Sequence, residues 1–237
     1  MKDIRKEVNF LYTQSSLSVF EACPYKFKLR YFQGLYWSED EATRESFAKG
    51  NEFHLLAERY YRRISQEKSE GTEESLVEDL SRLKETYPLK DGWKYFPEFD
   101  IRYNKEGVRL LGRYDLILVK PQNKIQIIDF KTNKKKLDEK IMEEALQTRI
   151  YLFLLWENYN LILENARKIR SLEMIYYQTE YPKEQIIIKY DEKKHDENRK
   201  KIKKIMKEIE SFSFAKVEKT RVNHCNVCEF RKICWKD

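Results

Sequence analysis

Two aspartates and a lysine, Asp115, Asp129 and Lys131, carry the most chemistry in this 237-residue chain. Strand alternation puts Ile125, Ile127, Asp129 and Lys131 on one face, so a carboxylate and an ammonium stand two positions apart. The same alternation on the preceding segment groups Leu111, Arg113, Asp115, Ile117 and Val119. A hairpin symmetric about Gln122 sets Asp115 opposite Asp129, each seven residues from the centre. Carboxylates about 5 Å apart repel unless a cation lies between them. A hard divalent ion, Mg2+ or Mn2+, accepts such oxygen ligands, and a neighbouring ammonium can hold a water and stabilise charge on a phosphoryl oxygen. The outline is a hydrolytic phosphodiesterase centre. The competing reading of Asp115 is an ordinary cross-strand ion pair with Arg113. Asp-x-Lys also occurs at Asp138–Lys140 and Asp191–Lys193, but only Asp129–Lys131 follows a buried-strand pattern, and the other two read as surface charge.

A second constellation is sulfur. Cys225, Cys228 and Cys234 have C-x2-C-x5-C spacing, and Cys23 is the one other cysteine. Thiolates gathered this way hold zinc or an iron-sulfur cluster, and cysteine chemistry alone leaves both open, with His224 able to stand in as a zinc ligand. Two further pairs share helical faces four residues apart: Gln147 with Tyr151, and His54 with Glu58. Lys134, Lys135 and Lys136 follow the Asp-x-Lys strand, and Tyr25, Tyr31, Phe32, Tyr36 and Trp37 surround Cys23. The aromatics read as packing around the cysteines or as a stacking surface for single-stranded DNA.

The elements that must position these residues follow from periodicity. Helices are predicted from Leu17 to Phe32, with Ser15, Ser16 or Ser18 as N-cap and Cys23 inside, from Phe47 to Gln66 and from Glu73 to Thr86. Strands follow at Phe96–Tyr103, Val108–Val119 and Lys124–Lys131, the last two joined by a turn at Pro121, Gln122 and Asn123. A helix from Glu139 to Tyr159, strands at Leu172–Gln178 and Gln185–Tyr190, and a basic helix from Asp191 to Ser211 complete the pattern. The net charge of +7 is compatible with a polyanionic partner. The chain lacks a stretch of about 20 apolar residues and a signal-peptide core, so the sequence predicts a soluble, cytoplasmic protein with no membrane partner. It also lacks a phosphate loop, so any DNA-unwinding motor would be another protein.

In order along the chain, Gly50-x3-His54, Gly112-x2-Asp115, Asp129-Phe130-Lys131 and Gln147-x3-Tyr151 resemble the RecB-type branch of the PD-(D/E)xK nuclease superfamily. Leu17, Ser18, Cys23-Pro24 and the terminal cysteines resemble its iron-sulfur subset, which includes the AddB nuclease domain and the CRISPR adaptation nucleases. The resemblance implies a metal-dependent DNA nuclease, an exonuclease, of restriction-endonuclease-like α/β fold, a mixed sheet flanked by helices. It implies a single domain: an N-terminal helical segment at 1–46, the core at 47–211 and a cluster-binding tail at 212–237. His54, Asp115, Asp129 and the Phe130 carbonyl would bind Mg2+ or Mn2+, Lys131 would position the attacking water, and Gln147 and Tyr151 would organise DNA and lysine. Cys23, Cys225, Cys228 and Cys234 would ligate a [4Fe-4S] cluster joining the N-terminal segment to the tail. The substrate would be single-stranded DNA or free ends, in DNA repair or CRISPR adaptation, beside a helicase or a CRISPR integrase. The alternative is a catalytically inactive DNA-binding or helicase-recruiting module of the same fold. The sequence departs from the pattern in lacking the proline-aspartate pair, since Asp115 follows Tyr114. Glu98, after Pro97, stands outside the set, at most as an outer carboxylate.

Overall fold

A proline sets the first turn of the architecture. In the computed structural model, which describes residues 3–7, 9–36, 41–64, 73–163, 168–217, 219 and 223–235, the predicted Leu17–Phe32 helix is broken. Helix α1 spans Gln14–Ala22 and is capped by Thr13, whose side chain exchanges hydrogen bonds with Ser16 in a capping box. It ends at Cys23 (φ −162, ψ 105), because Pro24 has no N–H and forces its predecessor into extended backbone. Pro24 then opens α2, Pro24–Phe27, at the first helical position, and a π-helical turn continues through Lys28–Phe32. Cys23 therefore sits at a joint, its Sγ accepting the Lys26 N–H at 3.4 Å.

Helix α3 covers Glu41–Tyr61, starting earlier than predicted, and Gln66 falls outside the described residues. Helix α4 is Glu74–Thr86. Five strands form one sheet in chain order: β1 Lys94–Lys105, β2 Val108–Lys120, β3 Lys124–Lys131, β4 Ser171–Gln178 and β5 Ile186–Tyr190. All neighbours are antiparallel except β3 and β4, so the sheet is mixed. The crossover between those parallel strands carries α5, Glu139–Glu144, and α6, Leu146–Glu157. The single helix predicted here is interrupted at Ala145, whose ψ is 141. Helix α7 runs Glu192–Ser211, and α8, Arg231–Cys234, lies in the tail. The two spare Asp-x-Lys motifs have a more definite job than surface charge: Asp138 and Asp191 cap α5 and α7, accepting the Ile141 and Lys194 N–H groups.

The sheet separates two cores. On one face Phe53, Ala57 and Tyr61 of α3 and Leu76, Leu80 and Leu83 of α4 cover Leu116, Leu118, Ile128 and Phe130. On the other, Leu17 and Phe20 of α1, the apolar α6 and the inner side of α7 cover Ile117, Val119, Ile125, Ile127 and Met174. Helix α6 is enclosed over Ile150–Leu155, which explains its lack of a polar stripe. Gly112 permits this closeness: a Cβ there would lie 2.8 Å from Leu154 Cδ1 and 3.3 Å from the Tyr114 ring.

The β2 faces depart from simple alternation. Leu110 and Tyr114 share the core of Ile117 and Val119, so the inward parity changes between Tyr114 and Ile117, and Leu111 and Arg113 do not share a face with Val119. The partner strand changes parity at the same level, between Phe96 and Phe99, around Glu98 in left-handed backbone (φ 47). The ladder runs through Pro97↔Leu116 and resumes at Phe99↔Tyr114, with no rung joining Glu98 to Asp115. Local strain at Glu98 and the missing rung coincide, and both lie at the candidate site.

Candidate metal centre and cysteine pocket

The β2–β3 hairpin has the expected register. Its rungs run from Lys120↔Lys124 to Leu116↔Ile128, one step short of Asp115 and Asp129. There the strands part, and Asp115 Oδ2 takes the Phe130 N–H at 2.7 Å, replacing a backbone rung with a carboxylate contact. Strand β3 stays paired to β4 as far as Lys131↔Gln178, which keeps the Asp-x-Lys segment rigid.

Helix α3 brings in His54. Gly50, one turn earlier, lets the helix pass close to the end of β3, since a Cβ there would lie 3.2 Å from Thr132 Oγ1. His54 Nδ1 is 3.4 Å from Asp115 Oδ1 and 3.8 Å from Glu98 Oε1. One ligand atom from each of His54, Glu98 and Asp115 falls within 4.8 Å of the others. Burial disfavours the imidazolium, but hydrogen bonds to Asp115 and Glu98 outweigh it and raise the His54 pKa to about 10. Arg113 is not the partner of Asp115; it pairs across the strands with Asp100 at 2.9 Å. Glu58 turns to Arg62 at 2.8 Å. The sequence kept Glu98 outside the site because its approach depends on a positive φ at a non-glycine residue. Its only sequence signal is an acid following Pro97.

Asp129 is 2% exposed, and its pKa rises to about 6 through burial and the nearby charge of Asp115, against the pull of Lys131. Lys131 Nζ lies 2.5 Å from Asp129 Oδ2, yet that buried oxygen makes no well-formed hydrogen bond. Gln147 on α6 connects the pair, donating to Asp129 Oδ1 at 2.5 Å and accepting from Lys131 Nζ at 3.3 Å. Tyr151 turns inward, 8% exposed, hydrogen-bonded to Gln147 and packed on the Tyr114 ring at 4.7 Å. Its contacts are thus with protein groups. Tyr114, in the place of the expected proline, donates its hydroxyl to the Tyr151 carbonyl at 2.9 Å and ties β2 to α6.

These groups fit a hard divalent cation. One ligand atom each from His54, Glu98 and Asp115 converges beside the buried Asp129 carboxylate, and oxygen with imidazole donors suits a hard divalent ion.

Cys23, Cys225, Cys228 and Cys234 line one pocket with Tyr25, Lys26, Phe230 and Trp235. All four are free thiols, and burial raises the pKa of Cys228 and Cys234. Lys26 and Glu229 close the pocket with an ion pair of 2.7 Å. Among the described residues no three of these sulfurs come within 4.8 Å of one another. A tetrahedral zinc site would hold its sulfurs about 3.8 Å apart, given Zn–S bonds of about 2.3 Å. The side chain of His224 lies outside the described residues, as does Trp37. Of the other aromatics, Tyr31 and Phe32 pack on Phe27, and Tyr36 is 75% exposed. The lysine run forms a loop edge, with Lys136 paired to Glu184.

A profile described as the PD-(D/E)XK nuclease superfamily matches residues 12–100 and 78–235. A crystal structure from Eubacterium rectale, of a protein named as a candidate exonuclease, matches with a TM-score of 0.50 and 10% identity over 96% of this chain and 98% of its own. The structure of a protein named SSO0001 matches at 18% identity with a TM-score of 0.38, over 89% of this chain and 93% of its own. No curated protein matches the chain.

Proposed function

Since the chain belongs to the PD-(D/E)XK nuclease superfamily, we propose that it is a Mg2+- or Mn2+-dependent deoxyribonuclease acting at DNA ends, with its centre at the parted ends of β2 and β3. The observation that carries this reading is the convergence of His54, Glu98 and Asp115 beside the buried Asp129, which Lys131 and Gln147 contact. His54, Asp115, Asp129 and the Phe130 carbonyl would hold the cation, with Glu98 as an additional carboxylate. The cation, when bound, supplies Lewis-acid stabilisation to the phosphoryl group. Lys131 orients the attacking water and steadies negative charge on the phosphate oxygens. Gln147 holds Lys131 and Asp129 together by hydrogen bonds to both, and Tyr151 hydrogen-bonds Gln147 in turn.

The cysteine pocket is assigned a [4Fe-4S] cluster. Cys23, Cys225, Cys228 and Cys234 line one cavity and would each ligate one iron of the cluster. Bound there, it would fasten α2 to the tail, which the Lys26–Glu229 ion pair also joins. A place in DNA repair or CRISPR adaptation, beside a helicase or an integrase, is the setting this subset implies. Among the described residues no helix is long and apolar enough to cross a membrane.

End-labelled single-stranded DNA with Mn2+ tests the activity. Wild-type protein is expected to release labelled fragments and Asp129→Ala to release none. Equal products from both would remove the assignment, and binding without cleavage by the wild type would leave a DNA-binding module. Anaerobic purification with iron and sulfide assays tests the cluster; colourless protein with stoichiometric zinc would overturn it.

A further inference from the structure

The end of the sheet opposite the metal centre holds an unusual concentration of unneutralised charge. Lys120 and Lys124 form the last rung of the β2–β3 hairpin and face each other directly. Like charges in that position destabilise a sheet. Arg170 is held beside them, its backbone N–H donating to the Asn123 carbonyl at 3.1 Å. Lys90 and Lys120 both point at the Trp93 ring, each 4.8 Å from its centroid. Lys120 is half-buried, and burial lowers its pKa.

Elsewhere the chain neutralises such cations: Lys26, Lys49, Lys136, Lys194 and Lys203 each have a carboxylate partner. Among the described residues, none of Lys90, Lys120, Lys124 and Arg170 forms a salt bridge. The carboxylate that acts on Lys120, Glu173, accepts a hydrogen bond from Gln126 Nε2 at 3.1 Å. An indole face is a weak substitute for an anion, worth about 0.5–1 kcal/mol at exposed sites. The lysines can leave it for a phosphate.

We infer that Lys90, Lys120, Lys124 and Arg170 form a second binding site, for the phosphate backbone of single-stranded nucleic acid, at the far end of β2 and β3 from the metal centre. Five residues separate Lys124 from Asp129, about 17 Å along the strand. Lys120 and Lys124 lie on the face covered by α3, the helix that carries His54, as shown by the parity of Leu118, Gln126 and Ile128. Asp129 and Lys131 project to the opposite face, and Leu118 and Ile128 lie buried under α3 and α4, so the two sites are separate and no track along this face joins them. Single strands are favoured because the lysines crowd one rung of a narrow hairpin end, where a flexible backbone can fold around them.

The inference rests on the nuclease reading, and its test separates the two. Anisotropy of a fluorescein-labelled 20-nucleotide oligothymidine in EDTA reads binding, and hydrolysis of bis(p-nitrophenyl) phosphate with Mn2+ reads the metal centre without reach. Lys120→Gln with Lys124→Gln removes two phosphate contacts. Each contributes about 0.7 to the slope of log K against log salt, so the slope falls by about 1.4 and affinity near 0.15 M salt drops about tenfold. Hydrolysis of the small diester stays at the wild-type rate. Lys124→Glu, which turns the like-charge rung into an attractive one, raises Tm while weakening the oligomer. A raised Tm with unchanged binding and salt slope would overturn the site, since it would make the rung merely an unfavourable surface pair. Duplex DNA competing as well as the single strand would overturn the choice of ligand. If the wild type binds the oligomer but hydrolyses neither diester nor DNA, the catalytic reading fails and the binding site stands.

Discussion

Replacing Gly112 with alanine probes how the sheet and α6 jointly build the centre. The added Cβ would sit 2.8 Å from Leu154 Cδ1 and 3.3 Å from the Tyr114 ring. Leu154 is fully buried, so its methyl cannot swing into solvent. Overpacking of this kind costs about 1–3 kcal/mol, and the lost freedom of glycine in the unfolded chain returns about 0.4–1 kcal/mol. A net destabilisation of about 1–2 kcal/mol corresponds to a Tm lower by about 2–8 °C for a chain of this size. Function should suffer beyond stability. Helix α6 carries Gln147, which holds both Asp129 and Lys131, and Tyr151, whose carbonyl accepts from Tyr114. A shift of about 1 Å in α6 is enough to reduce turnover about 100-fold. The assay is a double-mutant cycle with Leu154→Val, which makes room for the new methyl, reading Tm and DNA cleavage for all four proteins. Leu154→Val should recover part of both losses in the Gly112→Ala background. Wild-type Tm and cleavage for Gly112→Ala, or additive losses in the double variant, would refute the reasoning.

Mn2+ at about 100 times its dissociation constant should stabilise the protein by about 2.7 kcal/mol, raising Tm by about 5–11 °C. Asp115→Asn should abolish the shift, and a shift surviving in that variant would place the ion elsewhere. His195 is buried between the Phe153 and Trp156 rings and bonded to Glu157 at 2.8 Å; burial lowers its pKa. The unfolded chain therefore takes up that proton first as pH falls below about 6.5, a contribution that lowers stability by up to about 1.4 kcal/mol per pH unit and opposes the gain from Asp129, whose raised pKa makes the folded chain protonate first there. Glu157, whose pKa is depressed by His195 and Arg199 despite its burial, adds a second loss below about 4.5. His195→Gln should flatten the first decline in urea melts; an unchanged slope between pH 6.5 and 5 would count against it. Cys23→Ser should expose residues 223–235 to protease while leaving 212–217 protected, because Phe212 and Phe214 pack on Phe20 and Phe32. Cleavage before residue 212 would show that the aromatic block needs the cysteines.

Local rules accounted for the mixed sheet, its strands and most helices. The β2–β3 register was legible because the turn at Pro121–Asn123 fixes the pairing for every rung that follows. The break at Cys23 was legible too, since Pro24 dictates it, but helical periodicity on both sides masked it. The break at Ala145 has no such marker in its neighbours. The parity change in β1 and β2 could not be read at all, because it depends on Glu98 adopting φ 47, a state that no residue type there demands.

The sequence by itself determined which groups the chain owns for chemistry and which of them share a strand or a helical face, since those relations depend on period and turn geometry over a few residues. Tertiary structure alone decided that His54 from α3 and Glu98 from β1 meet at Asp115, that Gln147 binds both Asp129 and Lys131 while Tyr151 turns inward, and that the four cysteines line one cavity. These meetings join residues distant in the chain. They are fixed by how two cores pack on opposite faces of one sheet, and no local period encodes that packing.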